Sequence, residues 1–133
     1  MECIFCKIVK GEIPSYKVWE DDKYLAFLTI RPHKDGHLLL IPKKHDEYFF
    51  DLDEESIKEL TIKAKPLAQV LKEIYKPKSG KVSMVLMGME VPHVHIHLFP
   101  LDEESDINID KAHEATPEQL TENMKKIKLA LSS

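Results

Sequence analysis

Between Pro92 and Pro100 the chain alternates strictly, His93-Val94-His95-Ile96-His97-Leu98. Side chains on a strand point to opposite faces with a period of two. The tract therefore predicts a strand over residues 91–100, with His93, His95 and His97 on one face and Val94, Ile96 and Leu98 on the other. The apolar face must pack on a core. A solvated face does not need imidazoles, because Lys, Thr or Glu would serve it as well, so the histidine face points to chemistry. Four residues of strand separate the outer two Cα atoms by about 13–14 Å. A histidine reaches a metal from roughly 6–7 Å at best. One ion shared by all three would need a bent strand; two of them can share one. A row of imidazoles more naturally divides into a nucleophile and hydrogen-bond donors or acids.

Four more strands are expected, over residues 16–20, 24–30, 37–42 and 81–87. Glu20-Asp21-Asp22-Lys23 and Lys34-Asp35-Gly36 provide turns between the first three, and little more than Gly88-Met89-Glu90 separates the last two. Residues 3–10 have helical character, with Ile4 and Ile8 four apart and Gly11 as a stop. A longer helix starts at Asp53, with Ile57, Leu60, Ala64, Leu67, Leu71 and Ile74 as a 3.6-period stripe that Pro66 interrupts. Glu54 and Glu55 place favourable charge in its first turn. Thr116-Pro117-Glu118-Gln119 is a capping-box start, and Leu120, Met124, Ile127 and Leu131 carry that face to the end. Residues 101–115 read as a polar loop. Five strands and two substantial helices make an α+β meander, and 133 residues without a linker or repeat make one domain spanning 1–133.

A net charge of −4 without a dense basic block makes the chain a poor candidate for binding duplex nucleic acid by phosphate neutralisation, though a single nucleotide needs only a local site. Apolar runs such as residues 38–41 are too short to span a bilayer. The start Met1-Glu2-Cys3 has no secretory character. Two cysteines at 3 and 6 are too few to staple a secreted fold. These features point to the cytoplasm. Taken alone, Cys3-x-x-Cys6 fits two small buried residues on one helix face, a redox pair, or half of a metal site that His45 helps to complete. His37, just after Gly36, is on this reading either a loop histidine or part of the site. Trp19, Tyr24 and Phe27 read as core or pocket wall. Lys43 and Lys44 read as exposed lysines able to attract phosphate.

Three blocks together resemble the histidine triad (HIT) family. His93-Val94-His95-Ile96-His97-Leu98 is similar to its His-φ-His-φ-His-φ signature. The run from Gly36-His37 through Ile41-Pro42-Lys43-Lys44-His45 is similar to its upstream block. Cys3-Ile4-Phe5-Cys6 through Ile13-Pro14 is similar to the opening of its zinc-bearing branch. The resemblance covers nearly the whole chain. It implies an α+β fold with a five-stranded antiparallel sheet, usually a homodimer with a continuous sheet, and hydrolysis or transfer at the α-phosphate of a nucleotide. His95 would attack phosphorus, forming a nucleotidyl-histidine that water resolves to a nucleoside monophosphate, while His97 and His37 contact the phosphate. Phe5, Ile8 and Phe27 would line the base pocket. Cys3, Cys6, His45 and His93 would hold a structural zinc.

The chain also departs from the pattern of the family it resembles. The stretch before the triad is Gly88-Met89-Glu90-Val91, where relatives near the small phosphoramidases have Gly-Gln-Ser-Val, so Glu90 stands in place of the serine that assists the leaving group. Thr29 stands where an acidic residue often binds the ribose hydroxyls. Thr29, Glu90 and Val91 are therefore expected at the nucleotide. The rival readings are a dinucleoside polyphosphate hydrolase, a nucleotide-binding regulatory module with vestigial hydrolysis, and a hydrolase with zinc at the reaction centre.

Overall fold

The computed structural model describes residues 3–133. Five antiparallel strands form one sheet: β1 (Tyr16–Glu20), β2 (Tyr24–Leu28), β3 (Leu38–Pro42), β4 (Lys81–Val85) and β5 (Ile96–Leu101), in the order β1-β2-β3-β5-β4. The expected meander holds for β1–β3. The chain then crosses over through α2 (Glu54–Tyr75), and β5 inserts between β3 and the edge strand β4. The β1–β2 turn is fixed by Asp21, whose carboxylate accepts the Lys23 and Tyr24 N–H groups at 2.9 and 2.7 Å.

Both faces of the sheet are covered. On one face Val94, Ile96 and Leu98 join Ala26, Leu28, Leu38 and Leu40 against α2 and α3 (Pro117–Leu131). From α2 they meet Leu60, Ala64, Leu67, Val70 and Leu71, and from α3 Leu120 and Ile127. On the other face Leu25, Phe27, Leu39 and Ile41 pack against α1 (Ile4–Val9). This double coverage explains why β2 and β3 are buried along their whole length instead of alternating. Helix α1 turns Phe5 and Ile8 inward and leaves Ile4 49% exposed, so the inward pair is three apart, not the four-apart pair expected from sequence.

The helix starts follow their capping chemistry. Asp53 accepts the Ser56 N–H at 2.7 Å, and Thr116 and Gln119 exchange bonds as a capping box. Pro66 does not end α2; it sits at an exposed position, where it removes one N–H from the helix ladder. Among the described residues, no helix is long and apolar enough to cross a membrane.

Three further boundaries differ from expectation. Strand β4 stops at Val85 and β2 at Leu28. Strand β5 begins only at Ile96. Pro92 has no N–H to give to a ladder, the His93 N–H closes a turn on the Val91 carbonyl (2.8 Å), and the Val94 N–H goes to Asp46 O (2.7 Å). His93 and His95 are thus carried ahead of the strand. Residues 101–115 also contain two 3-10 turns, Glu104–Asp106 and Ile109–Lys111. The buried Asp106 carboxylate organises the first, accepting the Asp102 and Glu103 N–H groups and lying within 3.7 Å of the Lys34 and Lys111 ammonium groups.

Candidate active site

His37 is set by the turn before it. Gly36 has φ +83°, and any Cβ there would overlap the Tyr75 ring at the end of α2. Tyr75 is held in turn by its hydroxyl, which donates to Asn123 Oδ1 (2.6 Å) on α3. The helices on one face of the sheet thus fix a histidine that serves the other.

The hydrogen bonds around each ring assign its tautomer. The His33 backbone N–H donates to His37 Nδ1 (3.0 Å), which leaves the His37 proton on Nε2. His37 Nε2 lies 2.9 Å from His97 Nδ1, so His97 accepts there and carries its own proton on Nε2. His95 Nδ1 lies 2.7 Å from the His93 carbonyl; it must donate, which frees Nε2 as a lone pair. His95 and His97 stand together, ring centroids 4.8 Å apart. Burial is the first cause holding all three rings below the ordinary histidine pKa, with His97 pushed down to about 4 and His37 to about 2. Neighbouring imidazoles add to the depression at His37 and His97. At neutral pH these rings are uncharged, as a nitrogen nucleophile requires.

The depression of His37 has a consequence for stability. In the unfolded chain the ring takes up a proton near pH 6.5, whereas in the folded chain it does so only at far lower pH. Its contribution is complete above about pH 6.5 and is lost as pH falls toward the folded value. Between about pH 7.5 and 5.5, wild type is expected to lose about 1 kcal/mol more unfolding free energy than His37→Asn. Urea titrations at the two pH values check this, and equal losses in both proteins would refute it.

The three rings open on a cleft of about 320 Å³. Phe5, Thr29, Glu90 and Val91 line it, together with Ile4, Leu39, Arg31, Met89 and His33. Ile8 and Phe27 do not line it. They are buried behind Phe5, whose ring meets Phe27 at 5.6 Å and His95 at 5.1 Å. Lys43 and Lys44 line a separate depression of about 510 Å³, where Lys43 pairs with Glu20 at 2.7 Å. His33 was not singled out by sequence reasoning. The signal available was its place four residues before His37, across the Asp35-Gly36 turn.

At the other end of the histidine row, the ligand atoms of Cys3, Cys6, His45 and His93 lie within 4.8 Å of one another. Cys3 Sγ and Cys6 Sγ stand 3.3 and 3.6 Å from His93 Nδ1. His45 Nδ1 is 3.3 Å from both Cys6 Sγ and His93 Nδ1. Tetrahedral zinc with its usual bond lengths needs about 3.6 Å between S and N and about 3.3 Å between two N donors, and these four distances are close to that. His93 Nε2 lies 2.8 Å from the Pro42 carbonyl, which places the ring proton there and turns the Nδ1 lone pair to the cluster. The turn at Pro92 has separated the triad: His93 faces the cysteines, while His95 and His97 face the cleft.

A family model described as HIT domain matches residues 10–104. An uncharacterized HIT-like protein of Methanocaldococcus jannaschii is 39% identical over 132 residues, covering 95% of this chain and 98% of that protein. The chain belongs to the HIT family. Among its HIT relatives, the adenosine 5'-monophosphoramidase HNT1 of Saccharomyces cerevisiae is 42% identical over 105 residues, 77% of this chain and 64% of the yeast protein. The crystal structure of a zinc-bound histidine triad family protein from Mycobacterium smegmatis superposes with a TM-score of 0.83 at 25% identity, covering 99% of this chain and 94% of that one.

Proposed function

We propose that the protein is a nucleotide phosphoramidase or nucleotidyl hydrolase that works through a nucleotidyl-His95 intermediate. The observation that carries this reading is the bonding of His95, whose Nδ1 is committed to the His93 carbonyl and whose Nε2 is left as a lone pair on the cleft. The kinship with proteins named adenosine 5'-monophosphoramidase supports it.

The nucleoside base lies against Ile4, Phe5 and Leu39, the apolar end of the cleft. Thr29 Oγ1 accepts the Arg31 N–H at 3.2 Å, so its O–H is free to donate to the sugar. His95 Nε2 forms a bond to phosphorus. The bond from phosphorus to the leaving group breaks, its electron pair stays with the leaving group, and an amine leaving group takes up a proton from bulk water, to which the attacking water later returns one. His97 donates its Nε2–H to a phosphoryl oxygen, and His37 and the His33 backbone N–H hold it in that tautomer. His95 is now a cationic imidazolium, a good leaving group, and its Nδ1–H stays on the His93 carbonyl. Water attacks phosphorus, the pair returns to Nε2, water releases its proton, and the nucleoside monophosphate departs.

Cys3, Cys6, His45 and His93 would hold a zinc ion whose role is structural: it would tie α1 to the His45 loop and to the turn before β5. The protein would act as a homodimer, with the edge strand β4 and its exposed Met84 pairing with a second copy.

Single-turnover assays with AMP-amine, GMP-amine, a dinucleoside polyphosphate and a nucleotide sugar test the function. Rapid release of AMP or GMP from the amine compounds is expected. Faster release from the dinucleoside polyphosphate would favour that rival, and nucleotide binding without release would favour a regulatory module.

A further inference from the structure

Among the described residues that line the cleft, Arg31 is the only lysine or arginine. It belongs to the sugar side. Its backbone N–H donates to Thr29 Oγ1 at 3.2 Å, so its Cα stands within about 5 Å of the hydroxyl that meets the sugar. The chain on either side is fixed. The Thr29 N–H donates to the His37 carbonyl at 3.2 Å. Residues 113 and 115 run alongside, the His113 N–H donating to the Pro32 carbonyl at 3.2 Å and the Ala115 N–H to the Ile30 carbonyl at 3.3 Å.

The guanidinium itself is tied lightly. Its Nη2 donates to the Ala112 carbonyl at 3.4 Å, and its Nη1 lies 3.8 Å from a Glu114 carboxylate oxygen. Ala112 lines the same cleft, so the guanidinium sits at the rim. The Arg31 and Glu114 side chains are 56% and 89% exposed, and an ion pair so open to water contributes little. Most of the five guanidinium N–H donors can therefore turn to a ligand. The carboxylate that lines the cleft is Glu90, which acts electrostatically on His95 and does not pair with Arg31. Nucleotide sites that take free ribose hydroxyls commonly meet them with a carboxylate, whereas an arginine accommodates a ribose that carries a phosphate. The sugar side of this cleft offers a hydroxyl and a guanidinium.

We propose that Arg31 recognises a second phosphate on the ribose, at the 2' or 3' position, so that the substrates are nucleotides phosphorylated on the sugar as well as joined through the 5'-phosphate to the leaving group. This rests on the reading of the cleft as a nucleotide site with its sugar at Thr29. The added phosphate displaces Glu114 and receives paired N–H bonds from the guanidinium fork. Calorimetry at one ionic strength compares AMP, adenosine 2',5'-bisphosphate and adenosine 3',5'-bisphosphate with wild type, Arg31→Gln and Arg31→Lys. Wild type should bind one bisphosphate about tenfold or more tightly than AMP, the worth of a charge-assisted hydrogen bond, and which one it is gives the position on the sugar. Arg31→Gln, which keeps an N–H for the Ala112 carbonyl, should bring that ratio close to one. Arg31→Lys, a charge without the fork, should retain part of it. Because each ratio is taken within one variant, a reduced folded fraction cancels. Equal binding of all three ligands by wild type, or an unchanged ratio in Arg31→Gln, would overturn the proposal and leave the phosphoramidase reading standing. AMP binding without release of AMP from AMP-amine would overturn that reading alone, and no binding of any of the three would overturn both.

Discussion

His95→Asn is expected to lower kcat/KM for an adenosine phosphoramidate by on the order of 10⁴-fold, the scale on which removal of a covalent nucleophile is felt. Asparagine keeps an N–H that can reach the His93 carbonyl, as the His95 ring does at 2.7 Å, so the backbone around the cleft is expected to survive. It offers no lone pair on nitrogen. AMP affinity, read by calorimetry, should stay near that of wild type because base and sugar contacts are untouched. His97→Ala and His37→Ala should slow turnover less, since each removes a donor or its support and leaves the nucleophile. Near-wild-type turnover in His95→Asn would mean that water attacks phosphorus directly.

Chelation of the zinc proposed at Cys3, Cys6, His45 and His93 is expected to lower Tm by about 10 °C or more. Helix α1 spans only Ile4–Val9, too short to persist on its own helical propensity. It is held by Phe5 and Ile8 packing on the sheet and by the cysteines that bring it to His45 and His93. An ion on those four ligands would join segments far apart in sequence, and losing even about 3 kcal/mol, a fraction of the roughly 10–16 kcal/mol that structural zinc supplies in zinc-finger peptides, lowers Tm by about 10 °C at roughly 3–4 °C for each kcal/mol in a chain of this length. Phe5 also meets His95 at 5.1 Å, so loosening α1 would disturb the nucleophile's surroundings. Differential scanning calorimetry before and after chelation, with zinc content measured on the same samples, checks this. Cys3→Ser combined with Cys6→Ser should reproduce the chelated state. A metal-free protein with two reactive thiols and an unchanged Tm would contradict it. If zinc sat instead at the reaction centre, chelation would stop turnover before it lowered Tm.

Much of this was legible in the residues. Alternation at Val94, Ile96 and Leu98 placed those three on the core side, and Thr116-Pro117-Glu118-Gln119 placed the start of α3. What sequence missed depends on partners distant in the chain. Nothing local to His93 says that the next N–H, that of Val94, will be claimed by Asp46, yet that bond delays β5 and turns His93 toward the cysteines. The second core exists because a six-residue helix lies on β2 and β3, and its inward residues are Phe5 and Ile8 because of how it docks. His33 sits in a polar turn, and nothing local to it marks a role. It is buried because Phe99 and His37 flank it. Ile8 and Phe27 were expected at the nucleotide; they are buried with Phe5 against the sheet and do not line the cleft.

The most direct measurement is peptide-level mass spectrometry of the wild-type protein, acid-quenched within the first turnover with adenosine phosphoramidate. The expected result is an adenylyl group on the peptide that carries His95, localised to that residue and absent from the His95→Asn protein under the same quench. Turnover with no adduct at any quench time, or an adduct localised to His97 or His37, would contradict the assignment of His95 as the nucleophile.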